Sequence, residues 1–355
     1  MTHRKLAIIG DRFMLPNAFA DAIAAALKPS QMSELLLTQM QQPWPDVPMI
    51  HGYHEGAVPP RLAGIKEYLG DPDEIINFGR GAELLVTHLA PLSAEILAAL
   101  PDLRFIGISR GGPVNVDVAA ARAQKIRLVN VPGRNASAVA EFTIGAILAE
   151  TRKIRAGHET MRRGIWQTDL YRADVTGREL SEMVVGVVGY GAVGSKLVRL
   201  LRVFGCKILV CDPYVQLSAE DHAAGVELVT LERLLADSDV VSLHARVTSE
   251  TTKFIGRAAF ARMKNGVIFI NTARGPLVDY AALEDALNSD KIAGCMLDTF
   301  ELEPPPVDLP MLRHPKLTVT PHIAGASVRT VTFAAEKIAE EVRRYLNHEP
   351  ALHPC

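Results

Sequence analysis

Three residues in the last third of the chain have the types and spacing for carbonyl chemistry. They are Arg274 in "VIFINTARGPLVD", Glu303 in "LDTFELEP" and His322 in "TPHIAGAS". An unpaired guanidinium is costly to bury, so an arginine directly after an apolar run needs an anion or an opening to water. It can grip a 2-oxo acid through charge-assisted hydrogen bonds and polarise its carbonyl. An imidazole can protonate the carbonyl oxygen as hydride reaches carbon. A carboxylate beside that ring favours its charged form and fixes its tautomer. Each residue also has a plain structural reading: Arg274 paired with Asp279, His322 a satisfied core histidine, Glu303 an exposed charge in a Pro-rich loop. Their shared placement favours chemistry. Each follows a strand-like run ("GVIFIN", "AGCMLD" ending in Asp298, and "LTVT"), and open parallel sheets bind ligands at the carboxyl ends of their strands.

Those three runs close a longer series. Short β-branched runs alternate with helical patterns almost throughout, the pattern of parallel α/β layers. The first part reads as strands "LAIIG", "ELLLT", "ELLVTH", "RFIGIS" and "RLVNV" with helices between them, and a long helix from about Ser137 to Ile154 follows. "MVVGVVG", "KILVCD" and "DVVSLHA" then precede the three site-bearing runs, which predicts a six-stranded doubly wound sheet. An amphipathic helix from about Val328 to Leu346 ends the pattern.

"VVGYGAVG" puts Gly189, Gly191 and Gly194 in GxGxxG spacing, directly after an apolar strand and at the start of a helix. The first glycine makes the turn, the second lets backbone amides approach a pyrophosphate, and the third lets helix and strand pack closely. The next strand ends in Asp212, at the offset of a carboxylate that accepts from a ribose 2′-hydroxyl and repels a 2′-phosphate. NAD is therefore the expected cofactor, in preference to NADP.

"GYGAVG", "CDPY", "NTARGPLVD", "LDTFELEP" and "TPHIAGAS", in this order, resemble the D-isomer-specific 2-hydroxyacid dehydrogenase family. "NVPGRNASAVAEFTIGAIL" is similar to that family's hinge and long helix, and "ISRGGPVNVD" to its substrate loop. The resemblance implies Arg274 as substrate anchor, His322 as acid/base, Glu303 as its partner, and Asp298 near the nicotinamide carboxamide. It implies a cofactor site of Gly189, Tyr190, Gly191, Ala192, Val193, Gly194, Asp212, His244, Ala245, Thr272, Ala273 and Asp298. The substrate would meet His88, Arg110, Gly111, Gly112, Arg274 and His322, with the two glycine amides on its carboxylate. Two Rossmann-like doubly wound parallel-sheet domains are implied. One is a discontinuous, flavodoxin-like substrate domain of residues 1–133 and 322–355; the other is an NAD-binding domain of 134–321. A homodimer is the implied assembly, in a short form without the regulatory domain of some phosphoglycerate dehydrogenases.

The chain departs from the family in two places. "LHARVT" carries Arg246 where family members usually have proline, in a loop bordering the cofactor, where the arginine reads either as a phosphate contact or as a solvated side chain. "SRGGPVNVD" replaces the usual "GVGYDNVD", which bears on substrate. His88, Arg110 and Arg134 are three polar groups at strand ends and hinge, and they favour a polar acid of the glycerate or phosphoglycerate kind. Arg110 and Arg134 also read as solvated or paired side chains. A second function class is an NAD-sensing binding module like the family's corepressors, which turnover of a simple 2-oxo acid would separate from an enzyme. Formate dehydrogenase relatives carry glutamine where this chain has Glu303.

Composition excludes other classes. With 48% hydrophobic and 22% charged residues and a net charge of −2, the chain has no electrostatic footprint for nucleic acid or an anionic membrane. The apolar run at the N-terminus is too short for a signal-peptide core, and no apolar stretch is long enough to span a bilayer. Cys206, Cys211, Cys295 and Cys355 lack disulfide or metal spacing, so a cytoplasmic protein with reduced thiols is expected. His51 and His54 in "HGYH" read as a loop, with no further ligand to complete a metal site.

Overall fold

A computed structural model describes residues 3–44 and 59–355. The chain divides into two compact units, Met1–Asn135 with Ser327–Cys355, and Ala136–Ala326. It changes units after Asn135 and Ala326 rather than at 133 and 321, so Arg134 belongs to the first unit and His322 to the second. The pair His51 and His54 lies outside the described residues.

The first unit holds β1 (Arg4–Gly10), β2 (Leu35–Gln41), β3 (Ala82–Thr87), β4 (Phe105–Ile108) and β5 (Arg127–Val129), all parallel, in the order β2-β1-β3-β4-β5. A parallel sheet is covered on both faces, which is why its strands read as continuous apolar runs rather than alternating ones. Leu84, Leu85 and Val86 of β3 are all fully buried. One face is closed by the helices Pro16–Ala26 and Val328–Leu346, whose Phe19, Ile23, Ala334 and Ile338 pack with Leu84 and Phe105. The C-terminal helix spans the residues that its periodicity predicts. Ser327 caps it by accepting from the Thr330 amide, an interaction worth about 1 kcal/mol. The strand order reverses between β1 and β3, and ligands of such sheets bind at that switch point.

The second unit holds β6 (Val184–Val188), β7 (Lys207–Cys211), β8 (Glu227–Leu228), β9 (Val240–Leu243), β10 (Val267–Asn271), β11 (Ile292–Leu297) and β12 (Leu317–Val319). Their order is β12-β11-β10-β9-β6-β7-β8, again all parallel. The sheet has seven strands, not the expected six: β8 is a two-residue edge strand too short to carry any periodicity. Helices Ala136–Thr151 and Ala192–Arg202 cover one face through Ile147, Leu197 and Leu201. Helices Leu231–Asp237 and Tyr280–Asn288 cover the other through Leu234, Leu283 and Leu287. Here the order reverses between β6 and β9.

Candidate active site

Strands β10, β11 and β12 are neighbours, and Arg274, Asp298 with Glu303, and His322 leave their carboxyl ends. Asp298 organises the turn after β12. Its Oδ1 accepts from the Thr320 hydroxyl (2.6 Å) and the Ile323 amide (2.8 Å), and its Oδ2 from the Ala324 amide (2.9 Å). The residue is fully buried, and burial holds its carboxyl above the usual range despite these donors. All of these bonds go to the loop that carries His322. That turn holds His322 at φ 55°, a left-handed backbone that a non-glycine residue keeps only where its surroundings fix it.

His322 Nδ1 lies 2.8 Å from Glu303 Oε2, and Glu303 Oε1 accepts from the Phe300 amide at 2.8 Å. A carboxylate at this bond only accepts, so Nδ1 carries the hydrogen and proton exchange falls to Nε2. The His322 side chain keeps 25% of its surface exposed, enough for its far edge to be reached.

Arg274 is half-buried and has no ion pair with Asp279, which instead caps the helix Tyr280–Asn288 by accepting from the Ala282 amide. Its Nη1 donates to the Ala273 carbonyl at 2.7 Å, and no carboxylate among the described residues pairs with it. Next to it, a Cβ on Gly275 would stand 1.9 Å from the Phe300 carbonyl group, so only glycine lets the exit of β10 lie against the segment leading to Glu303. The geometry leaves a cation without a counter-charge on the same sheet edge as a carboxylate-tethered imidazole.

At the switch point of this sheet, Gly189 turns with φ +98°, and a Cβ there would meet the His244 carbonyl group at 2.7 Å and the Ala245 amide nitrogen at 2.8 Å. A Cβ on Gly194 would stand 2.0 Å from the Gly189 oxygen, so this glycine permits the close helix packing. A Cβ on Gly191 would meet nothing within 4 Å. Ala192 and Val193 open the following helix with no side-chain cap and no acidic residue in the first turn, which leaves its amides and dipole for an anion. Asp212 follows β7 with its carboxylate already oriented: Oδ2 accepts from the Tyr190 amide (2.8 Å) and Oδ1 from the Tyr214 amide (3.0 Å). Each oxygen retains a lone pair, as a ribose acceptor requires. The loop therefore fits a dinucleotide: open space over an uncapped helix start, with a fixed acceptor beside it.

Other residues expected around the cofactor have protein partners of their own. The Tyr190 ring is buried and its hydroxyl donates to Asp221, so only its backbone faces the glycine turn. The Thr272 hydroxyl pairs with Thr143 at 2.8 Å, and the Ala273 amide donates to Asn271 Oδ1 at 3.0 Å. His244 Nε2 bonds the Ser242 hydroxyl at 2.8 Å, while its Nδ1 is shielded from water and has no partner among the described residues. Burial pushes this ring down to about 3.

In the first unit, His88 follows β3 and places Nδ1 2.6 Å from Asp11 Oδ2, beyond the end of the neighbouring β1. Arg134 Nη2 lies 3.2 Å from His88 Nε2. A guanidinium has only donors, so Nε2 is the acceptor and His88 is the neutral, Nδ1-protonated tautomer. Burial, with the Arg134 charge adding to it, holds His88 below the usual histidine range against the pull of Asp11. Phe13 lies against both, its ring 5.4 Å from the imidazole at a 40° tilt and 5.6 Å from the guanidinium. Arg110, expected as a substrate residue or as a paired side chain, forms an ion pair with the buried Glu67. The Gly111 and Gly112 amides have no acceptor among the described residues, and a Cβ on Gly112 would meet nothing within 4 Å. No sequence motif marks Asp11, Phe13 or Glu67; the one local signal is Asp11 at a strand end, two residues before an aromatic.

The model of the D-isomer specific 2-hydroxyacid dehydrogenase NAD-binding domain matches residues 144–324. The Bacillus subtilis protein YoaD is 40% identical over 260 residues, covering 72% of this chain and 74% of its own. The D-3-phosphoglycerate dehydrogenase of Archaeoglobus fulgidus is 36% identical over 259 residues, 73% of this chain and 48% of its own; the chain thus aligns with about half the length of that relative. Among solved structures, the apo form of Escherichia coli D-lactate dehydrogenase has a TM-score of 0.74 at 25% identity and covers 99% of both chains.

Proposed function

We propose that this chain, which belongs to the D-isomer specific 2-hydroxyacid dehydrogenase family, interconverts a polar D-2-hydroxy acid of the glycerate or phosphoglycerate kind with its 2-oxo acid. When bound, NADH would supply the hydride for reduction and NAD+ would accept it in oxidation. The observation that carries the assignment of roles is the 2.8 Å His322–Glu303 pair on the sheet edge where Arg274 has no carboxylate partner among the described residues. Glu303 ties Nδ1, so His322 gives and takes the proton of the substrate oxygen at Nε2. Arg274 offers a planar two-point grip on the carboxylate and carbonyl of a 2-oxo acid. Asp298 positions His322 through the turn it holds. In the first unit, the Gly111 and Gly112 amides are the candidates for the substrate carboxylate.

Asp212 supports NAD over NADP, since its carboxylate would repel a 2′-phosphate at the ribose. A homodimer is part of the reading. Trp166 and Tyr171 in the second unit are 79% and 93% exposed, close in sequence to the exposed Met161 and Ile165, an apolar surface suited to a second copy. A cytoplasmic setting agrees with four unpaired cysteines.

NADH-linked reduction of glyoxylate, pyruvate, hydroxypyruvate, phosphohydroxypyruvate and 2-oxoisocaproate tests the reading. The polar acids are expected to have the highest kcat/KM, and the reverse reaction to accept only D-isomers. Best turnover with 2-oxoisocaproate would remove the polar-acid reading. NADH binding without turnover of any acid would favour an NAD-sensing module instead. His322→Asn should lower kcat in both directions by about 100- to 10,000-fold with NADH affinity retained. Equal loss of cofactor binding would make His322 structural.

A further inference from the structure

Arg134 is a guanidinium that the first unit builds and then leaves largely unused. Of the five N–H donors of an arginine, one from Nη2 is the only one to meet an acceptor among the described residues, His88 Nε2 at 3.2 Å. Nη1 is shielded from water and has no partner among the described residues. Burial lowers this arginine to about 10, so it is still a cation at neutral pH. A sealed, unmatched donor is costly and persists where an acceptor arrives from elsewhere.

The support around it is specific. Asp11 Oδ1 accepts from the Phe13 and Met14 amides, both at 2.8 Å, which fixes the carboxylate whose other oxygen holds His88. His88 is locked as an acceptor toward Arg134, and the Phe13 ring packs under both side chains. Asp11 and His88 leave the adjacent strands β1 and β3, between which the order of the first sheet reverses. That is where a sheet of order 2-1-3-4-5 binds its ligand. The other cationic candidate, Arg110, has its charge matched by Glu67.

We propose that Arg134, held by Asp11, His88 and Phe13 at the β1/β3 switch point, is the subsite for a second oxyanion of the substrate, a carboxylate or a phosphate remote from the reacting carbon. This rests on the dehydrogenase reading for its substrate and names what the polar end of that substrate must be. The guanidinium fork provides the charge and the two-pronged geometry that both oxyanions fit, and a hydroxyl alone leaves the charge unmatched.

The test compares kcat/KM for phosphohydroxypyruvate and 2-oxoglutarate, which carry a second anion, with pyruvate and hydroxypyruvate, which do not, in wild type and Arg134→Met. The loss expected for the preferred anion-ended acid is about 10- to 100-fold, and less than about 3-fold for the two others. Selective loss with the phosphate or with the dicarboxylate identifies the source of the anion. Equal loss on all four acids overturns the subsite while the dehydrogenase reading stands. If the wild type reduces none of them, that reading fails, and the subsite is judged by calorimetric titration with inorganic phosphate and with succinate. Indistinguishable binding by wild type and Arg134→Met then overturns it. Should Arg134→Met fail to fold, Arg134→Lys keeps the charge and loses the fork. A smaller loss confined to the anion-ended acids is expected from it, and a uniform loss again overturns the proposal.

Discussion

The two sheets begin alike and treat an approaching anion in opposite ways. Each has a strand at its switch point followed by a turn and a helix: β1 into Pro16–Ala26, and β6 into Ala192–Arg202. In the first turn, Asp11 takes the Phe13 and Met14 amides for itself, and Pro16 starts the helix without an N–H. In the second, Gly191 leaves the helix start uncapped, with open space where a side chain would stand. Topology makes both places candidates for a ligand, and the residues of each turn decide what can bind. A carboxylate and proline close the backbone route in one unit, where a guanidinium is the cation on offer. Glycines open it in the other, where amides and a helix dipole face the ligand.

The largest effect should come from making the second turn resemble the first. Gly191→Asp puts a carboxylate over the open helix start, and the backbone there, at φ −73°, accepts any residue. Like charges brought together cost several kcal/mol, so NADH affinity should fall about 100-fold or more while the unfolding midpoint stays put. Fluorescence titration with NADH and urea unfolding check the two halves. Unchanged affinity would mean that the open turn does not receive the pyrophosphate.

A smaller change is expected at Asp212, the counterpart of Asp11 in being a carboxylate that accepts from backbone amides, here one in its own turn (Tyr214) and one in the glycine turn (Tyr190). Asp11 spends its remaining oxygen on His88, whereas both Asp212 oxygens keep capacity for a ribose. Asp212→Ala removes the acceptor and the repulsion of a 2′-phosphate together. The ratio of kcat/KM with NADPH to that with NADH should rise about 10-fold or more. A wild type that uses both cofactors equally contradicts the assignment.

What could be read in the sequence divides along the same line. The glycine turn is legible because its spacing, preceding strand and following helix are all local, and Arg274, Glu303 and His322 are legible because each adjoins an apolar run. The His88–Asp11 bond joins residues 77 apart, and the Arg110–Glu67 pair joins residues 43 apart. No periodicity records such partners. Polar partner choice is a tertiary event, set when β1 and β3 become neighbours. The same holds for Asp298: its place at a strand end is local, but its three bonds to residues 320–324 depend on β11 pairing with β12. Tyr190 shows the converse. Its position in the glycine motif suggests the cofactor, and the hydroxyl instead finds Asp221 under the following segment.

The smallest effect distinguishes the turns by acid. His88 and His244, one beside each switch point, are both held below the usual histidine range by burial. A base whose folded value lies below its unfolded value of about 6.5 makes the unfolded chain bind more protons as pH falls past that point. Stability is therefore fully present above pH 6.5 and declines below it, by at most about 1.4 kcal/mol per pH unit for each ring. For His244 the decline runs on toward about 3. Burial raises the Asp298 carboxyl, which acts in the opposite sense as that group titrates, so the test lies in the variants rather than in the wild-type slope alone. Urea unfolding at pH 7.5, 6.5 and 5.5 should show the wild type losing stability on acidification. His88→Asn and His244→Asn should each flatten that slope whatever they cost at pH 7.5. Because His88 is locked between a carboxylate and a guanidinium, protonating it also breaks its bond to Arg134. His88→Asn should therefore flatten the slope of the first unit's transition, if the units unfold separately, and leave the second unit's slope unchanged. A wild-type midpoint that does not move between pH 7.5 and 5.5, with both variants parallel to it, would mean that these two rings are not held neutral by the fold.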